Sequence, residues 1–195
     1  MITEPKWKSL LATTVGPLFT PAQCQNIIDI GHQKEALNAK VGKPGVGIGG
    51  AKDIKMRVTT ISWIPFKTMP EMYAIIERSM KQVNGNHFGY EGMQLTEYGQ
   101  FTEYPKGGFY DWHIDGDIHC GIEPPVRKIS MTILLSNPSE FEGGDLQFMA
   151  EGNEPPPLVQ GQAIFFCSLI RHRVAKVKKG IRRSLVMWFG GPPFK

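Results

Sequence analysis

Residues 128–149 read KISMTILLSNPSEFEGGDLQFM, and the order of side chains in this stretch predicts β structure. Apolar and polar residues alternate along 128–135, which is typical of a strand that buries one face. Pro138 and the pair Gly143-Gly144 interrupt the alternation, and a second strand-like run follows at 145–149. Short strands separated by turn residues indicate a double-sheet jelly roll or barrel.

The same pattern extends in both directions through the second half of the chain. Further strand-like runs occupy 93–98, 108–113, 162–166 and 181–189. We therefore predict a mainly β protein with N-terminal helices, in which a single domain covers 1–195. Residues 1–90 would form a buttress of helices and a strand, and 91–195 the jelly-roll core.

Two helices are predicted in the buttress. Thr20 can cap a helix over 19–31, with Pro21 at its first position and Gln23 completing a capping box. A second helix over 70–83 places apolar side chains at helical spacing and would end at Asn84-Gly85. The β-branched run 57–64 predicts a strand between them, and the glycine-rich stretch 41–51 predicts a flexible loop that could act as a lid.

Composition limits the classes of protein that this chain can belong to. No apolar stretch approaches the roughly 20 residues that cross a bilayer, and the first residues lack the features of a signal peptide. We therefore expect a soluble, cytoplasmic protein without a membrane partner. Its three cysteines are odd in number and widely spaced, which favours reduced thiols.

The formal net charge is +4, but basic residues concentrate between 171 and 183. We define this basic cluster as Arg171, Arg173, Lys176, Lys178, Lys179, Arg182 and Arg183. A solvated turn between two strands is one interpretation, and a surface for an acidic or nucleic-acid partner is the other. Net charge does not decide between them.

Three polar residues form a candidate metal site. His113 and Asp115 stand two apart in YDWHID, so an extended strand would direct both to one side. His172 follows the apolar run AIFFCSLI, where a strand would return it to the interior. Two histidines and one carboxylate are the facial triad of non-haem Fe(II) oxygenases, which leaves positions for a bidentate cosubstrate and O2. His119 is a fourth candidate ligand, but we expect it in a loop.

A cosubstrate that carries a carboxylate needs a fixed cation, and Arg182 is the candidate. Ser184 would share its face of the strand after a turn at VKKG, while Arg183 would point the other way. Tyr104 could donate a hydrogen bond to the same carboxylate. A surface arginine and a packed tyrosine are the alternative interpretations of these residues.

Five segments together resemble the prolyl 4-hydroxylase-like group of 2-oxoglutarate/Fe(II) dioxygenases, which includes the bacterial PKHD-type hydroxylases. These segments are TEYPKGGFYDWHID, RKISMTILLS, FEGGDLQF, GQAIFF and RHRVAKVKKGIRRSLVMWFG. The resemblance implies a double-stranded β-helix, with flanking N-terminal helices.

The resemblance also implies roles for individual residues. His113, Asp115 and His172 would bind iron, Arg182 would pair with the distal carboxylate of 2-oxoglutarate, and Tyr104 would bond to it. Leu134, Leu146 and Trp188 match positions that line the cosubstrate pocket. The implied cofactors are Fe(II), 2-oxoglutarate and O2, with ascorbate as a further candidate.

The activity implied is hydroxylation of a peptidyl proline or a similar peptide side chain, with release of succinate and CO2. Collagen-type relatives use lysine where this chain has Arg182, which argues against a collagen-like substrate. The alternatives are a nucleic-acid or small-molecule oxygenase of the same fold and a non-catalytic jelly-roll binding module. Exposed aromatic residues suited to base stacking do not accompany the basic cluster, so we favour a peptide or protein partner over a nucleic acid.

Overall fold

The computed structural model describes residues 10–38, 56–116, 125–149 and 157–193. The predicted lid at 41–51 and the candidate ligand His119 lie outside these residues. The described residues include two α-helices, α1 (Pro21–His32) and α2 (Pro70–Val83). The strands, in chain order, are β1 (Leu11–Thr13), β2 (Leu37–Asn38), β3 (Arg57–Val58), β4 (Thr60–Ile64), β5 (Gln94–Leu95), β6 (Gly99–Tyr104), β7 (Phe109–His113), β8 (Val126–Leu134), β9 (Phe141–Gly143), β10 (Leu146–Phe148), β11 (Ala163–Cys167), β12 (His172–Val174), β13 (Val177–Gly180) and β14 (Arg182–Gly191).

The strands form a large sheet and two smaller ones. The large sheet has the order β1-β11-β8-β14-β6-β4-β2, and β5 adds to β14. A four-stranded sheet has the order β10-β12-β7-β3, and β13 pairs with β9. The fold is a double-stranded β-helix, as predicted. Within the described residues, neither helix is long and apolar enough to span a bilayer.

Helix α1 begins where its capping box requires. The Thr20 hydroxyl accepts a hydrogen bond from the backbone N–H of Gln23, and the Gln23 side chain accepts one from the backbone N–H of Thr20. An N-cap of this kind contributes about 1 kcal/mol to helix stability. The predicted helix is confirmed, and its buried face consists chiefly of Ile27 and Ile28.

Helix α2 has the predicted bounds, but Asn84-Gly85 does not end the helical path. A π-helical turn continues over Asn84–Phe88 and stops at Gly89, whose φ is 69°. The Asn84 side chain donates to the Tyr90 carbonyl and accepts from the Tyr90 N–H. These bonds fold the chain back after the π turn, so Asn84 stabilises the exit from the helix.

The two faces of β14 divide the molecule into a core and a site. Leu185, Met187 and Phe189 point outward from the site and are fully buried against the helices. Arg182 and Ser184 lie on the opposite face and are also buried. Alternation along one strand therefore separates an apolar core from a polar interior between the sheets.

Three strand predictions need correction. The run 57–64 is not one strand, because it breaks at Thr59 and its two parts join different sheets. The Thr59 hydroxyl donates to the Glu103 carbonyl at this point, which stabilises the break. The predicted run 93–98 retains only β5, and β6 begins after it at Gly99. VKKG is not a turn but strand β13, which pairs with β9.

Candidate active site

A β-bulge in β7 positions His113. His172 pairs with His113 and Val174 pairs with Tyr110, so two residue steps along β12 lie opposite three steps along β7. The extra residue brings Tyr110 and His113 to the same side, and their rings stack at 3.5 Å between centroids. The bulge also leaves the Asp111 carbonyl 2.7 Å from His113 Nδ1. Because a carbonyl only accepts, His113 carries its proton on Nδ1.

His172 reaches the same place from β12. It is the first residue of that strand and not, as predicted, the end of the run AIFFCSLI. Only AIFFC forms a strand, β11, and residues 168–171 separate β11 from β12. His172 Nδ1 lies 2.9 Å from the Ile170 carbonyl, and the ring packs edge-on to Phe166. Burial lowers the pKa of His172, although Asp115 opposes the shift, so the neutral ring is favoured.

Asp115 lies beyond the end of β7, between the two histidines. Its Oδ1 is 3.5 Å from His113 Nε2 and its Oδ2 is 3.4 Å from His172 Nε2. Burial of Asp115 favours the neutral acid. Electrostatic interactions with His172 and His113 and the Ser130 hydroxyl outweigh that effect and hold the pKa of Asp115 well below its usual range. The carboxylate is therefore ionised.

These three residues fit a divalent metal ion. One ligand atom from each lies within 4.8 Å of the others. With both Nδ1 atoms protonated, two Nε2 lone pairs and a carboxylate converge in a buried space, and a cation between them would satisfy all three. The backbone carbonyls that fix the two imidazoles are the outer partners that metal-binding histidines usually have.

Arg182 and Tyr104 are paired residues on the neighbouring strands β14 and β6 of the large sheet, so they lie side by side. Arg182 is 3% exposed, donates through Nη1 to the Ser184 hydroxyl at 3.1 Å, and lies 5.7 Å from the Tyr104 ring centroid. Burial raises the pKa of Tyr104 despite the opposing charges of Arg57 and Arg182, so its hydroxyl remains a donor. Arg183 faces the other side and donates to Glu103, as the strand alternation predicted.

Arg182 forms one wall of a cleft of about 500 Å³. Leu134 and Leu146 line it, together with Phe148 and Ile164. Gly144 makes room for the arginine, because a Cβ there would lie 2.8 Å from Arg182 Cδ. The cleft thus offers a fixed guanidinium in a wall of mixed polar and apolar surface that also includes Asp145, and the guanidinium suits a small carboxylate ligand.

Trp188 does not line this cleft, although the resemblance placed it there. Its indole lies under the Arg127 guanidinium, with Cζ 4.1 Å from the ring centroid, and its buried Nε1–H has no hydrogen-bond partner among the residues that the structure describes. Ser130 pairs with Trp188 in the sheet and reaches Asp115. Alternation along β8 could have identified Ser130 as an inward-facing residue, because it lies two positions from Thr132.

Arg57 is a further site residue that sequence reasoning missed. Its Nη2 donates to the Gln100 side chain at 3.0 Å, and its Cζ lies 4.4 Å from the Tyr110 ring centroid. Its Nε–H is buried and, within the described part of the chain, has no hydrogen-bond partner. The two-residue strand β3 gave no periodic signal for its direction, so only the fold reveals this second guanidinium.

The basic cluster is less free than its sequence suggests. Arg182 is buried, Arg183 pairs with Glu103, and Arg173 donates to the Gln147 side chain at 2.7 Å. Lys179 lies 3.4 Å from Glu142. The cluster is not a turn, since β12, β13 and β14 contain five of its seven residues.

Comparison with known proteins agrees with this geometry. Residues 99–190 match the model of the 2OG-Fe(II) oxygenase superfamily. A PKHD-type hydroxylase of Psychrobacter sp. is 34% identical over 92 residues, which are 45% of this chain and 36% of that protein. The chain therefore matches well under half the length of this relative.

Two solved structures have the same fold. A Pseudomonas putida prolyl-4-hydroxylase aligns with a TM-score of 0.69 and 19% identity, covering 94% of this chain and 93% of the other. A Trichoplax adhaerens prolyl hydroxylase in complex with a hypoxia inducible factor peptide fragment aligns with a TM-score of 0.67 and 16% identity, covering 93% and 84%. The predicted resemblance to prolyl 4-hydroxylase-like dioxygenases is confirmed, and with it Fe(II), 2-oxoglutarate and O2 as the cofactors of this class.

Proposed function

We propose, from the match of residues 99–190 to the model of the 2OG-Fe(II) oxygenase superfamily, that this chain is a dioxygenase that hydroxylates a peptide side chain, with peptidyl proline as the preferred target. The observation that carries the proposal is the convergence of His113, Asp115 and His172 on one metal-sized space. The cleft that contains Arg182 is close by, since Phe148 lines it and also packs near the His172 ring.

Each residue has a defined part in this proposal. His113, Asp115 and His172 would hold Fe(II) through Nε2, a carboxylate oxygen and Nε2. Arg182 would bind the distal carboxylate of 2-oxoglutarate, oriented by Ser184 and accompanied by Tyr104. When bound, iron and 2-oxoglutarate supply the oxygen chemistry that hydroxylates a C–H bond and releases succinate and CO2. Ascorbate stays a predicted auxiliary reductant.

The protein contributes orientation and a dry environment. Phe148 and Phe166 pack against His172, and Tyr110 covers His113, so apolar ring surface surrounds the ligand set. Excluding water strengthens the charge pairs in the site and protects reactive species from side reactions. The fixed Nδ1–H bonds keep both imidazoles aimed at the metal position without reorganisation.

Two solved structures of this fold support a peptide as the substrate. One is a Pseudomonas putida prolyl-4-hydroxylase, and the other, a Trichoplax adhaerens prolyl hydroxylase, holds a hypoxia inducible factor peptide fragment. We carry this class of substrate over to the present chain because the two alignments cover 94% and 93% of it.

Purified protein with Fe(II), 2-oxoglutarate and O2 tests the proposal. Proline-containing peptides and candidate proteins should stimulate succinate formation, and mass spectrometry should detect the gain of one oxygen atom on the peptide. Succinate formation that Asp115→Ala leaves undiminished would contradict the assignment of the metal site. Hydroxylation confined to non-peptide substrates would retain the oxygenase and reject the peptide.

A further inference from the structure

The guanidinium of Arg127 is directed to the metal site by a second β-bulge. Where β8 pairs with β14, Phe189 opposes Ile129 and Gly190 opposes Arg127, so Lys128 is an extra residue. In a regular strand without the bulge, Arg127 would point with Ile129 into the apolar core, because residues two apart share a face. The bulge instead places the Arg127 guanidinium over Trp188, on the inner face of the sheet.

The contacts of Arg127 leave its guanidinium a single orientation. Its Nε and Nη2 donate to the two carboxylate oxygens of Glu97, a bidentate pair. Its flat face lies on the Trp188 indole, 4.1 Å from the ring centroid. Its remaining terminal nitrogen, Nη1, donates to the backbone carbonyl of Asp115 at 3.3 Å. Bidentate pairing fixes a planar group in direction as well as in position.

Asp115 depends on such a contact more than its neighbours in β7 do. The strand ends at His113, so the sheet ladder does not hold the backbone of Asp115. Its N–H donates to the Ser168 carbonyl at 3.0 Å, and its own carbonyl accepts from Arg127. One bond therefore ties Asp115 to the turn before His172, and the other ties it to β8.

We infer that Arg127, held by Glu97 and Trp188, is a positioning residue that orients the metal ligand Asp115. The inference rests on the proposed metal site but concerns a residue outside the ligand set. Without the Arg127 bond, only the bond to the Ser168 carbonyl would hold the backbone of Asp115. The backbone could then rotate about that bond, and the carboxylate would spread over more orientations. The metal would then meet a less preorganised set of ligands.

Substitutions at both partners of the Arg127–Glu97 pair test this role, with Mn(II) as the probe. Arg127→Gln and Glu97→Gln should each weaken Mn(II) binding by about tenfold or more, the usual scale for partners of metal ligands. Arg127→Lys should lie between them and the wild type, because an ammonium cannot form the fork. The pair Arg183 and Glu103 on the opposite face of the sheet provides matched controls, Arg183→Gln and Glu103→Gln.

Mn(II) titration by electron paramagnetic resonance, together with the thermal midpoint of the metal-free protein, separates positioning from stability. We expect the controls to lose a comparable amount of thermal stability and to keep wild-type Mn(II) affinity. The Co(II) absorption spectrum should change in Arg127→Gln and stay unchanged in the controls. If Arg127→Gln does not fold, Arg127→Lys and Glu97→Gln decide the question by the same titration.

The inference would be overturned if Arg127→Gln kept wild-type Mn(II) affinity. If Arg127→Gln does not fold, wild-type Mn(II) affinity in both Arg127→Lys and Glu97→Gln would overturn it. So would an equal loss in Arg183→Gln, because the effect would then follow stability. Asp115→Ala identifies failure of the proposed function itself. If that variant binds Mn(II) as the wild type does, the metal site is wrong; if it alone loses Mn(II), only the role of Arg127 is wrong.

Discussion

His113 and His172 are direct partners across the β7–β12 ladder, and their ring centroids lie 4.2 Å apart. This pairing brings together two residues that stand far apart in the sequence. It also places both Nε2 atoms beside Asp115, the first charged residue after β7. The metal position thus lies where β7 ends at His113 and the adjacent β12 begins at His172. Asp115, beyond the end of β7, is not part of the hydrogen-bond ladder of the sheet.

Replacing any of His113, Asp115 and His172 with alanine should abolish Mn(II) binding and succinate formation, since three protein ligands are the minimum for this class of site. Circular dichroism should still report a folded domain, because the apolar core is on the other face of the large sheet. His32→Ala is the control, because His32 lies outside the site and pairs with Glu103. Turnover that survives any of the three site substitutions would contradict the ligand assignment.

The elements of this site differ in how far the sequence could predict them. The direction of Arg182, Ser184 and Arg183 follows from simple alternation, and the structure agrees. The capping box at Thr20 is likewise a local signal, so the start of α1 could be predicted. Both features depend only on residues within four positions of one another.

The two bulges could not be predicted, because each depends on a partner strand distant in sequence. Alternation predicts Tyr110 and His113 on opposite faces, yet the bulge in β7 stacks them. The same holds for Arg127, which alternation would place in the core. The sequence predicts an interior His172, and the side chain is buried. It does not predict strand β12, because three residues are too few to show a period.

Arg182→Ala should raise the 2-oxoglutarate concentration for half-maximal turnover by about tenfold or more, equal to about 1.4 kcal/mol for a lost charge-assisted pair. Arg182 is buried and faces the cleft, whereas Arg183 binds Glu103 on the other face. Arg183→Ala should therefore change the requirement little. Equal effects on the 2-oxoglutarate titration would mean that the cleft is not the cosubstrate site.

Gly144→Ala should weaken 2-oxoglutarate binding as well as stability. The φ of Gly144 is 72°, and an added Cβ would lie 2.8 Å from Arg182 Cδ and 3.0 Å from Val177 Cγ2. The left-handed backbone alone costs about 1 kcal/mol for a residue with a side chain. Displacement of Arg182 adds a loss of cosubstrate affinity, measurable by titration of the Mn(II)-loaded protein.

Gly89→Ala is the matched control for that prediction. Gly89 has a φ of 69°, and no atom of the described residues lies within 4 Å of the position that a Cβ would take. It should therefore show the backbone cost in the free energy of unfolding and leave 2-oxoglutarate affinity unchanged. A cosubstrate loss of the same size in both variants would show that strain, and not contact with Arg182, is responsible.

Glu103→Gln should destabilise the protein in a pH-dependent way. Burial of Glu103 opposes ionisation, but hydrogen bonds from His32 and Arg183 outweigh it and lower the pKa. A carboxyl whose pKa is depressed on folding contributes stability above its unfolded pKa, about 4.3, and loses it as the pH falls through the folded pKa. Urea unfolding should give a loss of about 1 kcal/mol near neutral pH that shrinks in acid.

The control for Glu103 is Glu142→Gln, because Glu142 pairs with Lys179 in an exposed position. Exposed ion pairs contribute little to stability, so this variant should match the wild type at both ends of the pH range. A pH-independent loss in Glu103→Gln would show that packing, and not the charge of Glu103, stabilises the contact between α1 and the sheet.

Oligonucleotide binding should be weak, although basic residues concentrate between 171 and 183. Arg182 is buried, and Arg183, Arg173 and Lys179 have partners within the protein, so fewer charges are left for phosphates. A protein that neutralises several phosphates loses affinity steeply as salt rises, because bound counterions are released. We expect dissociation constants no tighter than the nonspecific range of about 1 to 100 μM at physiological salt.

A titration at two salt concentrations, about 50 and about 200 mM, measures this slope. The variant Arg171→Ala with Lys178→Ala removes two exposed charges of the basic cluster and leaves the buried Arg182 in place. If those charges met phosphates, the slope would fall by about 1 for each, whereas we expect it to change little. A peptide-stimulated 2-oxoglutarate assay on the same protein completes the comparison. Submicromolar, salt-steep binding together with base-dependent turnover would replace the peptide with a nucleic acid as the substrate and would leave the metal site and the Arg182 cleft as proposed.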